Sequence, residues 1–370
     1  MSSPHVTPPN ETVPRSVDSA SPATLELGGR DVVVAYTDVA TEFAALRTTA
    51  IVVDRSFRGR MRFFGEKSAE ALTGLVTSDV IATAPGHGHY AAALSAKGRI
   101  VADLRIFAMP VASSYLVDTP PRAWPGFLAM VKKYVNPRVS GYRDDSHAIR
   151  DIGIFGADAR RIVARISGVA ADALGALAPF DNLTATMHGA EAMIARVPDL
   201  GLEGYDLFVP FETFESVWRD AVAAGAVPAG LAACEIARVE AGRPEWGIDI
   251  DETTIPQEAN FDEMDAISYT KGCYIGQEVV ARVHFRGHVN RHLRGLRAAG
   301  GGDAPPPTGS QLIDDTGNHV GDVRSAVSSP RLGGIAIGMV RREVSAGASL
   351  TARSEHGEQR VDVAALPFSA

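Results

Sequence analysis

The sequence is most informative at Lys271-Gly272-Cys273-Tyr274-Ile275-Gly276-Gln277-Glu278, where a thiol stands among glycines, a cation and the start of a helix. A thiol acts as a nucleophile or ligand only as thiolate, and a nearby ammonium or helix N-terminus lowers its pKa. Cys273 has both close in sequence, because Lys271 precedes it by two residues and residues 277–282 have a helical pattern. We therefore predict that Cys273 is a catalytic thiol and that Lys271 activates it.

A second interpretation of Cys273 is open at this point. A lone cysteine beside a tight turn is often a small, buried and inert residue of the core. Cys234, the other cysteine of the chain, fits that description, because its helical surroundings offer no cation. Two cysteines imply no disulfide framework and suit a reducing compartment.

Two segments upstream of this octapeptide extend the pattern. They are Glu240-Ala241-Gly242 and a glycine-broken, acid-rich loop over residues 247–258. Together with the octapeptide they resemble the YgfZ family of folate-binding proteins, which is related to the glycine cleavage T-protein. T-proteins have a similar octapeptide with aspartate in place of Cys273, so the cysteine separates the two branches. The resemblance covers most of the chain from Arg30 onward.

The resemblance implies an α+β fold in which two intertwined α+β subdomains form a folate-binding region over residues 26–290. A small antiparallel β-barrel is implied for residues 291–370. The residue pattern agrees, because short strands alternate with helices in the first region, and regular short strands separated by turn residues follow in the second.

Three local features outside the octapeptide can be predicted from residue types. The turn-forming residues 95–98 lie between two apolar runs and predict a hairpin. Thr41 predicts the N-cap of a helix that ends at Thr48. Residues 1–25 combine prolines with serine and threonine, which predicts a disordered tail rather than a secretory signal.

The resemblance also implies that the protein binds tetrahydrofolate. The implied cofactor-binding residues of the octapeptide are Tyr274, Gly276, Gln277 and Glu278. Outside the octapeptide, Asp103 and Glu203 are expected to contact folate, and Arg286 is expected to contact its glutamate end. Arg282 and Arg291 are further candidates for that end, because guanidinium groups match carboxylates in shape and charge.

Asp103 stands on an otherwise apolar strand and allows two interpretations. A carboxylate that faces a folate amine could relay a proton or hold a cationic intermediate. Alternatively, Asp103 is an acid on the solvent side of an edge strand. T-proteins carry an acid pair on this strand, whereas this chain has Ala102-Asp103.

Two more positions depart from the T-protein pattern. Asp118 lies where T-proteins have an asparagine-containing segment that touches folate, and Leu202 occupies the position of their pterin-binding glutamate. Glu203, next to Leu202, is the acid that we assign to pterin contact. Together with Ala102, these changes predict that the protein lacks the aminomethyl transfer of glycine cleavage.

The histidines after the octapeptide are candidate metal ligands. His284, His288 and His292 repeat at helical spacing, but Gly287 interrupts the helix and no carboxylate joins them. We expect no metal site.

Net charge and hydrophobicity exclude two classes of function. A formal net charge of −8 argues against general nucleic-acid binding, and no apolar run is long enough to span a bilayer. We expect a cytoplasmic monomer without membrane contact. The resemblance implies a tetrahydrofolate-binding protein that supports assembly or repair of iron–sulfur clusters in client proteins. Two alternatives are a folate-dependent aminomethyltransferase or demethylase of the T-protein type, and a non-catalytic adaptor that folate stabilises.

Overall fold

The computed structural model describes residues 22–110 and 113–369. Its strands are β1 Thr24–Leu27, β2 Arg30–Val33, β3 Ile51–Asp54, β4 Gly59–Phe64, β5 Gly88–Leu94, β6 Ile100–Ala108, β7 Ser114–Thr119, β8 Gly141–Asp144, β9 Ile149–Phe155, β10 Asn182–Met187, β11 Ala190–Arg196, β12 Gly204–Pro210, β13 Val227–Pro228, β14 Arg291–Ala298, β15 Gln311–Ile313, β16 His319–Ser329, β17 Gly333–Arg341, β18 Ser349–Ser354 and β19 Gly357–Ala364. Its α-helices are α1 Val39–Thr48, α2 Ser68–Leu75, α3 Trp124–Tyr134, α4 Ala159–Ser167, α5 Ala171–Ala176, α6 Phe214–Ala223, α7 Leu231–Glu240 and α8 Gln277–Arg286.

The folate-binding region predicted from sequence consists of two sheets that share the chain. One sheet has the strand order β10-β11-β12-β9-β3-β13, and the other has the order β5-β6-β7-β4-β8. The chain passes from β3 directly into β4, and from β8 directly into β9, so it crosses between the sheets repeatedly. The predicted α+β fold of two intertwined subdomains is confirmed.

Each sheet buries one face against its own helices. Phe127 of α3 is fully buried against the second sheet, and Ile162 of α4 and Val217 of α6 are fully buried against the first. The opposite faces of the sheets pack together through Phe107 and Phe208, whose ring centroids lie 5.5 Å apart. Burying a large apolar side chain contributes roughly 1.5–3 kcal/mol, so these layers hold the region together.

The C-terminal strands close into a barrel with the order β14-β17-β16-β15-β18-β19. Its interior is filled by apolar side chains that include Leu296, Leu312 and Val361. Buried and more exposed residues alternate along β19, which is typical of strands in a small barrel. The predicted antiparallel barrel is confirmed, and β14 begins at Arg291, the first residue of the region predicted for it.

Helix α7 and the loop after it join the barrel to the sheets. Val239 of α7 belongs to the same buried cluster as Ile337 and Met339 of β17. The loop over residues 241–276 then returns to the second sheet, where Thr254 O accepts a hydrogen bond from Ile100 N at 2.9 Å. These contacts carry the octapeptide back to the second sheet.

The local predictions have mixed outcomes. The hairpin forms between β5 and β6, and α8 begins at Gln277 as expected. The N-cap of α1 is Asp38 rather than Thr41, because the Asp38 carboxylate accepts a hydrogen bond from Thr41 N at 2.9 Å. Of the predicted tail, residues 1–21 lie outside the described residues, and Thr24 and Leu25 belong to β1. Within the described ranges, no helix is long and apolar enough to cross a membrane.

Candidate functional site

The octapeptide is anchored to the C-terminal end of α2 by Lys271. Its Nζ donates hydrogen bonds to the carbonyl oxygens of Thr73 and Val76, both at 2.6 Å, and of Ser78 at 2.7 Å. A helix leaves its last carbonyl groups without intrahelical donors, and lysine side chains commonly satisfy them. The ammonium therefore caps α2 and fixes the loop that carries Cys273.

Burial and hydrogen bonding shift the pKa of the Lys271 ammonium in opposite directions. Burial lowers the pKa of its ammonium to about 8, although the three carbonyl acceptors favour the charged form. The ammonium also lies 4.7 Å from the centroid of the Tyr274 ring. The described contacts of Lys271 thus hold the loop in place, and its activating role toward Cys273 stays a prediction.

Cys273 is exposed to solvent, so its interpretation as a small buried core residue is wrong. Gln277 Nε2 donates a hydrogen bond to the Cys273 sulfur at 3.7 Å, and Gln277 Oε1 accepts one from Tyr274 N at 2.9 Å. Gln277 is the first residue of α8, so the thiol lies beside a helix N-terminus as the sequence indicated. A catalytic role for this thiol stays a prediction.

Gly276 allows the octapeptide to approach the hairpin of β5 and β6. Its φ is +82°, and a Cβ added there would lie 2.5 Å from the carbonyl oxygen of Ser95. Both facts require glycine at this position. Glu278, in contrast, is exposed on the first turn of α8, where a carboxylate interacts favourably with the helix dipole.

Asp103 is only 4% exposed and lies on β6, which has a strand on either side, so a place on the solvent side of an edge strand is excluded. Tyr90 donates a hydrogen bond to Asp103 Oδ2 at 2.9 Å, whereas Oδ1 is buried and has no partner among the described residues. Burial raises the pKa of Asp103 to about 6, although the Arg58 charge and the Tyr90 hydroxyl oppose that shift. Asp103 therefore combines a free oxygen with a pKa near neutrality.

The Tyr90 ring forms one wall around this carboxylate. It stacks on Phe180 with ring centroids 6.1 Å apart and lies 5.1 Å from the Phe261 ring. Burial raises the pKa of Tyr90 well above its ordinary value, so the hydroxyl stays a donor at neutral pH. An apolar wall beside one hydrogen-bonded acid is typical of a small-molecule site.

Asp118, the second departure from the T-protein pattern, is held by arginines. Its Oδ1 accepts hydrogen bonds from Arg58 Nε at 2.6 Å and from Arg105 Nε at 2.9 Å and Nη2 at 2.7 Å. Arg60 Nη1 lies 3.7 Å from Oδ2. Burial opposes ionisation of Asp118, but the guanidinium charges lower its pKa. Oδ1 is thus held by two guanidinium groups, whereas Oδ2 is buried and has no hydrogen-bond partner among the described residues.

Sequence analysis missed the charged network around Arg105. Arg105 Nη1 bonds to Asp199 at 2.9 Å and to Asp206 at 2.5 Å, and Arg55 bonds to the same two acids. Asp151 lies 3.5 Å from Arg105, but its carboxylate oxygens lack hydrogen-bond donors among the described residues, and burial raises its pKa well above the ordinary value. Arginine and aspartate on otherwise apolar strands were the signal that could have revealed this network.

Glu203, the acid assigned to pterin contact, has other partners. It accepts hydrogen bonds from Arg160 Nε at 2.8 Å and from the Tyr205 hydroxyl at 2.7 Å. Burial alone would raise the pKa of Glu203, but these two hydrogen bonds outweigh it, so the pKa is lowered. Leu202 beside it is half-buried against the apolar cluster between the sheets. A folate contact from Glu203 stays a prediction.

The arginines expected at the glutamate end of folate are not brought together. Arg282 and Arg286 are exposed on α8. Arg291 bonds to Glu258 at 3.1 Å instead. His284 stacks on Tyr269 with ring centroids 3.6 Å apart, and no group of three metal-ligating side chains occurs in the part of the chain that the structure describes.

The predicted site residues therefore form two groups. The octapeptide lies at the surface, beside α2 and the hairpin, whereas Asp103 lies in the interior near the charged network. Tyr274 of the first group and Tyr90 beside the second pack against one buried cluster that contains Phe261. The thiol is thus exposed and the acid is buried, and their contribution to one folate site stays a prediction.

Comparisons with known proteins agree with this fold. Residues 18–267 match the GCVT N-terminal domain, and residues 291–369 match the glycine cleavage T-protein C-terminal barrel domain. The chain belongs to the glycine cleavage T-protein family. The two relatives described next are named aminomethyltransferase, so membership in the YgfZ branch stays a prediction.

Two of these relatives cover most of both chains. An aminomethyltransferase of Halothermothrix orenii is 29% identical over 352 residues, which are 93% of this chain and 95% of the relative. One of Thermosynechococcus vestitus is 30% identical over 312 residues, which are 82% of this chain and 80% of the relative. The crystal structure of glycine cleavage system aminomethyltransferase T from Bartonella henselae has a TM-score of 0.84 at 20% identity and covers 95% of each chain, which establishes the shared fold.

Proposed function

We propose that the protein binds tetrahydrofolate in the interior between its two sheets and acts in folate-dependent one-carbon transfer of the T-protein type. The observation that carries this proposal is Asp103, a buried carboxylate with one unpartnered oxygen beside an aromatic wall. A buried acid without a partner is costly, so it points to a ligand that supplies the missing donor. Tetrahydrofolate has amine groups that fit this requirement.

Asp103 and its neighbours define what the chain itself can do. Tetrahydrofolate, when bound, supplies the amine nitrogens that carry one-carbon units. Asp103 Oδ1 can accept a hydrogen bond or a proton from a bound amine, because the pKa of about 6 places both protonation states within reach near neutral pH. Tyr90 holds the other oxygen, and the Arg58 charge favours the ionised acid.

The proposed donor of the one-carbon unit is an amine, without restriction to the donor of glycine cleavage. Relatives named aminomethyltransferase support an amine donor. Asp118 is occupied by arginines, and Leu202 offers no carboxylate, so two residues on which T-proteins rely differ here. We therefore propose aminomethyl or demethylation chemistry with a donor other than the one used in glycine cleavage.

Folate binding can be measured directly by titration calorimetry with tetrahydrofolate. The wild-type protein should release or absorb heat with one site per chain, and Asp103→Asn should weaken binding. Asp315→Asn is the matched control, because Asp315 is an exposed acid on the barrel. Absence of both heat and thermal stabilisation at saturating tetrahydrofolate would sink the proposal.

A turnover assay with one-carbon donors distinguishes a folate-dependent transferase from a non-catalytic adaptor. The protein and tetrahydrofolate are incubated with an aminomethyl donor, whose carbon already has the oxidation level of methylene-tetrahydrofolate, or with a methyl donor such as sarcosine or dimethylglycine. Methylene-tetrahydrofolate and methyl-tetrahydrofolate are quantified as the respective products, because neither transfer then requires an oxidant. Formation that depends on Asp103 supports one-carbon transfer. Tight folate binding without turnover of any donor favours the non-catalytic adaptor instead.

A second candidate function is folate-dependent support of iron–sulfur cluster assembly or repair, and exposed Cys273 on its anchored loop favours it. A thiol that solvent can reach could contact a client protein or a cluster. Replacing Cys273 by serine should then lower the activity of iron–sulfur enzymes in cells while the fold and folate binding persist. Cys234→Ser is the control, and equal enzyme activity in both variants would contradict this role.

A further inference from the structure

Arg58, the residue before β4, is only 9% exposed, yet part of its guanidinium group has no partner. Its Nε donates a hydrogen bond to Asp118 Oδ1 at 2.6 Å. Its terminal nitrogens Nη1 and Nη2, which form the Arg58 fork, have no hydrogen-bond acceptor among the described residues. Charged donors without acceptors are costly in a protein interior, so the fork points to a ligand that supplies oxygen atoms.

The strand register places Arg58 and Asp103 on the same face of the second sheet. Asp118 of β7 pairs with Arg60 of β4 on one side and with Arg105 of β6 on the other. Arg58 and Asp103 each precede one of those arginines by two residues, and residues two apart in an extended chain share a face. Two strand spacings, roughly 10 Å, separate their backbones. The fork therefore lies near the buried acid that we propose to hold the folate amine.

The charged network that contains Arg58 has more positive than negative charge. Four arginines and four aspartates form this network. Burial raises the pKa of one of the acids, Asp151, well above its ordinary value, so Asp151 carries little charge near neutral pH. In Arg55, Arg60 and Arg105 at least one terminal nitrogen donates a hydrogen bond. The Arg58 fork is therefore the place in the network where an additional anion fits.

Two further acids lie within electrostatic reach of Arg58 without forming an ion pair with it. Burial raises the pKa of Asp103, and the Arg58 charge is the largest influence that opposes this shift. Burial also raises the pKa of Glu245, which the charges of Arg238 and Arg58 oppose. A guanidinium fork next to two carboxylates with no ion pair to it matches a ligand that carries both a negative and a positive group.

We propose that the Arg58 fork binds the carboxylate of the one-carbon donor, so that the donor is an N-methylated amino acid rather than a simple amine. The inference rests on the proposed function, because that function requires an amine donor beside Asp103. Guanidinium forks pair with carboxylates through two parallel hydrogen bonds. The amine of such a donor faces Asp103 and Glu245, while its carboxylate occupies the nitrogens that otherwise lack acceptors.

Calorimetry on the wild-type protein with tetrahydrofolate present tests the fork through the ligand. The two probes are N,N-dimethylglycine and N,N-dimethylglycinamide, which has the same amine and a similar shape but no carboxylate. The acid should bind about tenfold or more tightly than the amide, because hydrogen bonds between charged partners are stronger than those to a neutral amide. This comparison uses no substitution, so it does not depend on the folding of a variant.

Arg58→Lys tests the fork through the protein. Lysine keeps a positive charge beside Asp118 but lacks the planar pair of donors, so the preference for the acid should fall to about threefold or less. Arg143→Lys is the matched control, because Arg143 is an exposed arginine on β8 of the same sheet that also bonds to an aspartate. Its replacement should leave the preference unchanged, and thermal melting of both variants checks their folding.

The outcomes separate this inference from the proposed function. If tetrahydrofolate binds but the wild-type protein does not bind the acid, or binds acid and amide equally, the inference fails and the folate site stands. Full preference for the acid in folded Arg58→Lys would also overturn it, because the carboxylate then binds elsewhere. If tetrahydrofolate does not bind, the same titrations are run without it. A preference for the acid that depends on Arg58 then supports the fork although the folate proposal fails, and equal affinities mean that both fail.

Discussion

Replacing Asp103 by asparagine should change how the stability of the protein depends on pH. Asp103 is buried, and burial raises the pKa of its carboxyl from an ordinary value of 3.8 to about 6. Asparagine keeps the shape and an acceptor for the Tyr90 hydroxyl, but it cannot ionise. The comparison therefore isolates the cost of the buried charge.

The sign and size of the effect follow from these two values. A carboxyl whose pKa is raised in the folded protein contributes stability that is fully present below pH 3.8 and is lost as pH rises through about 6. The difference between the two values corresponds to about 3 kcal/mol, because one pKa unit equals about 1.4 kcal/mol. Ionised Asp103 is thus a cost that the wild type bears at neutral pH.

Chemical denaturation of both proteins between pH 4 and pH 8 measures this cost. The free energy of unfolding of Asp103→Asn relative to wild type should rise by about 2.5 kcal/mol over that interval, because a small part of the cost is already present at pH 4. The constant penalty of an unpaired amide donor cancels in the comparison between pH values. A difference that stays constant across the interval would refute the reasoning, and Asp315→Asn, at an exposed acid, serves as the control that should stay flat.

Three further changes test other parts of the structure. Asp118→Asn should lower the free energy of unfolding by about 3–5 kcal/mol, because it leaves buried guanidinium groups without their anion; denaturation at pH 7 measures it. Gly276→Ala should cost about 1–3 kcal/mol, because its φ is positive and the added Cβ meets a carbonyl oxygen; the control Gly300→Ala has positive φ but open space. Cys273 should be alkylated about 100-fold or more faster than Cys234 near pH 7.5, because burial raises the pKa of the Cys234 thiol to about 12; mass spectrometry of labelled peptides follows both.

Each of these has a result that contradicts it. If Asp118→Asn lowers the free energy of unfolding by less than about 1 kcal/mol, water has access to the arginine network and replaces the missing anion. Equal losses for the two glycine variants would leave backbone strain, without any clash against the hairpin, as the whole effect. Alkylation of both cysteines at similar rates would show that the Cys234 region opens readily in solution.

Sequence reasoning located the octapeptide but did not reveal all of its contacts. The start of α8 at Gln277 and the hairpin before it were predictable, because helix and turn signals are local. Lys271 was expected to act on Cys273, two residues away, yet its ammonium bonds to carbonyl groups almost two hundred residues earlier in the chain. Spacing along the chain cannot reveal where a long, flexible side chain finds its acceptors.

The burial of Asp103 could not be predicted from sequence either. An acid on an apolar strand fits a ligand site or an exposed edge equally well in sequence, and only the position of β6 inside its sheet excluded the edge. Arg282 and Arg286, which were predicted for the glutamate end of folate, are four residues apart in sequence and are exposed on α8.

The sequence by itself, through its resemblance to a known family, determined the α+β class, the C-terminal barrel and the relation to the glycine cleavage T-protein, because a glycine-rich octapeptide, turn residues and helix starts are properties of short segments. The tertiary structure alone decided which acids are buried, which guanidinium groups are free and which carbonyls Lys271 holds. The physical reason is that pKa values, charge pairing and cavities depend on distances between elements that only the packed fold brings together.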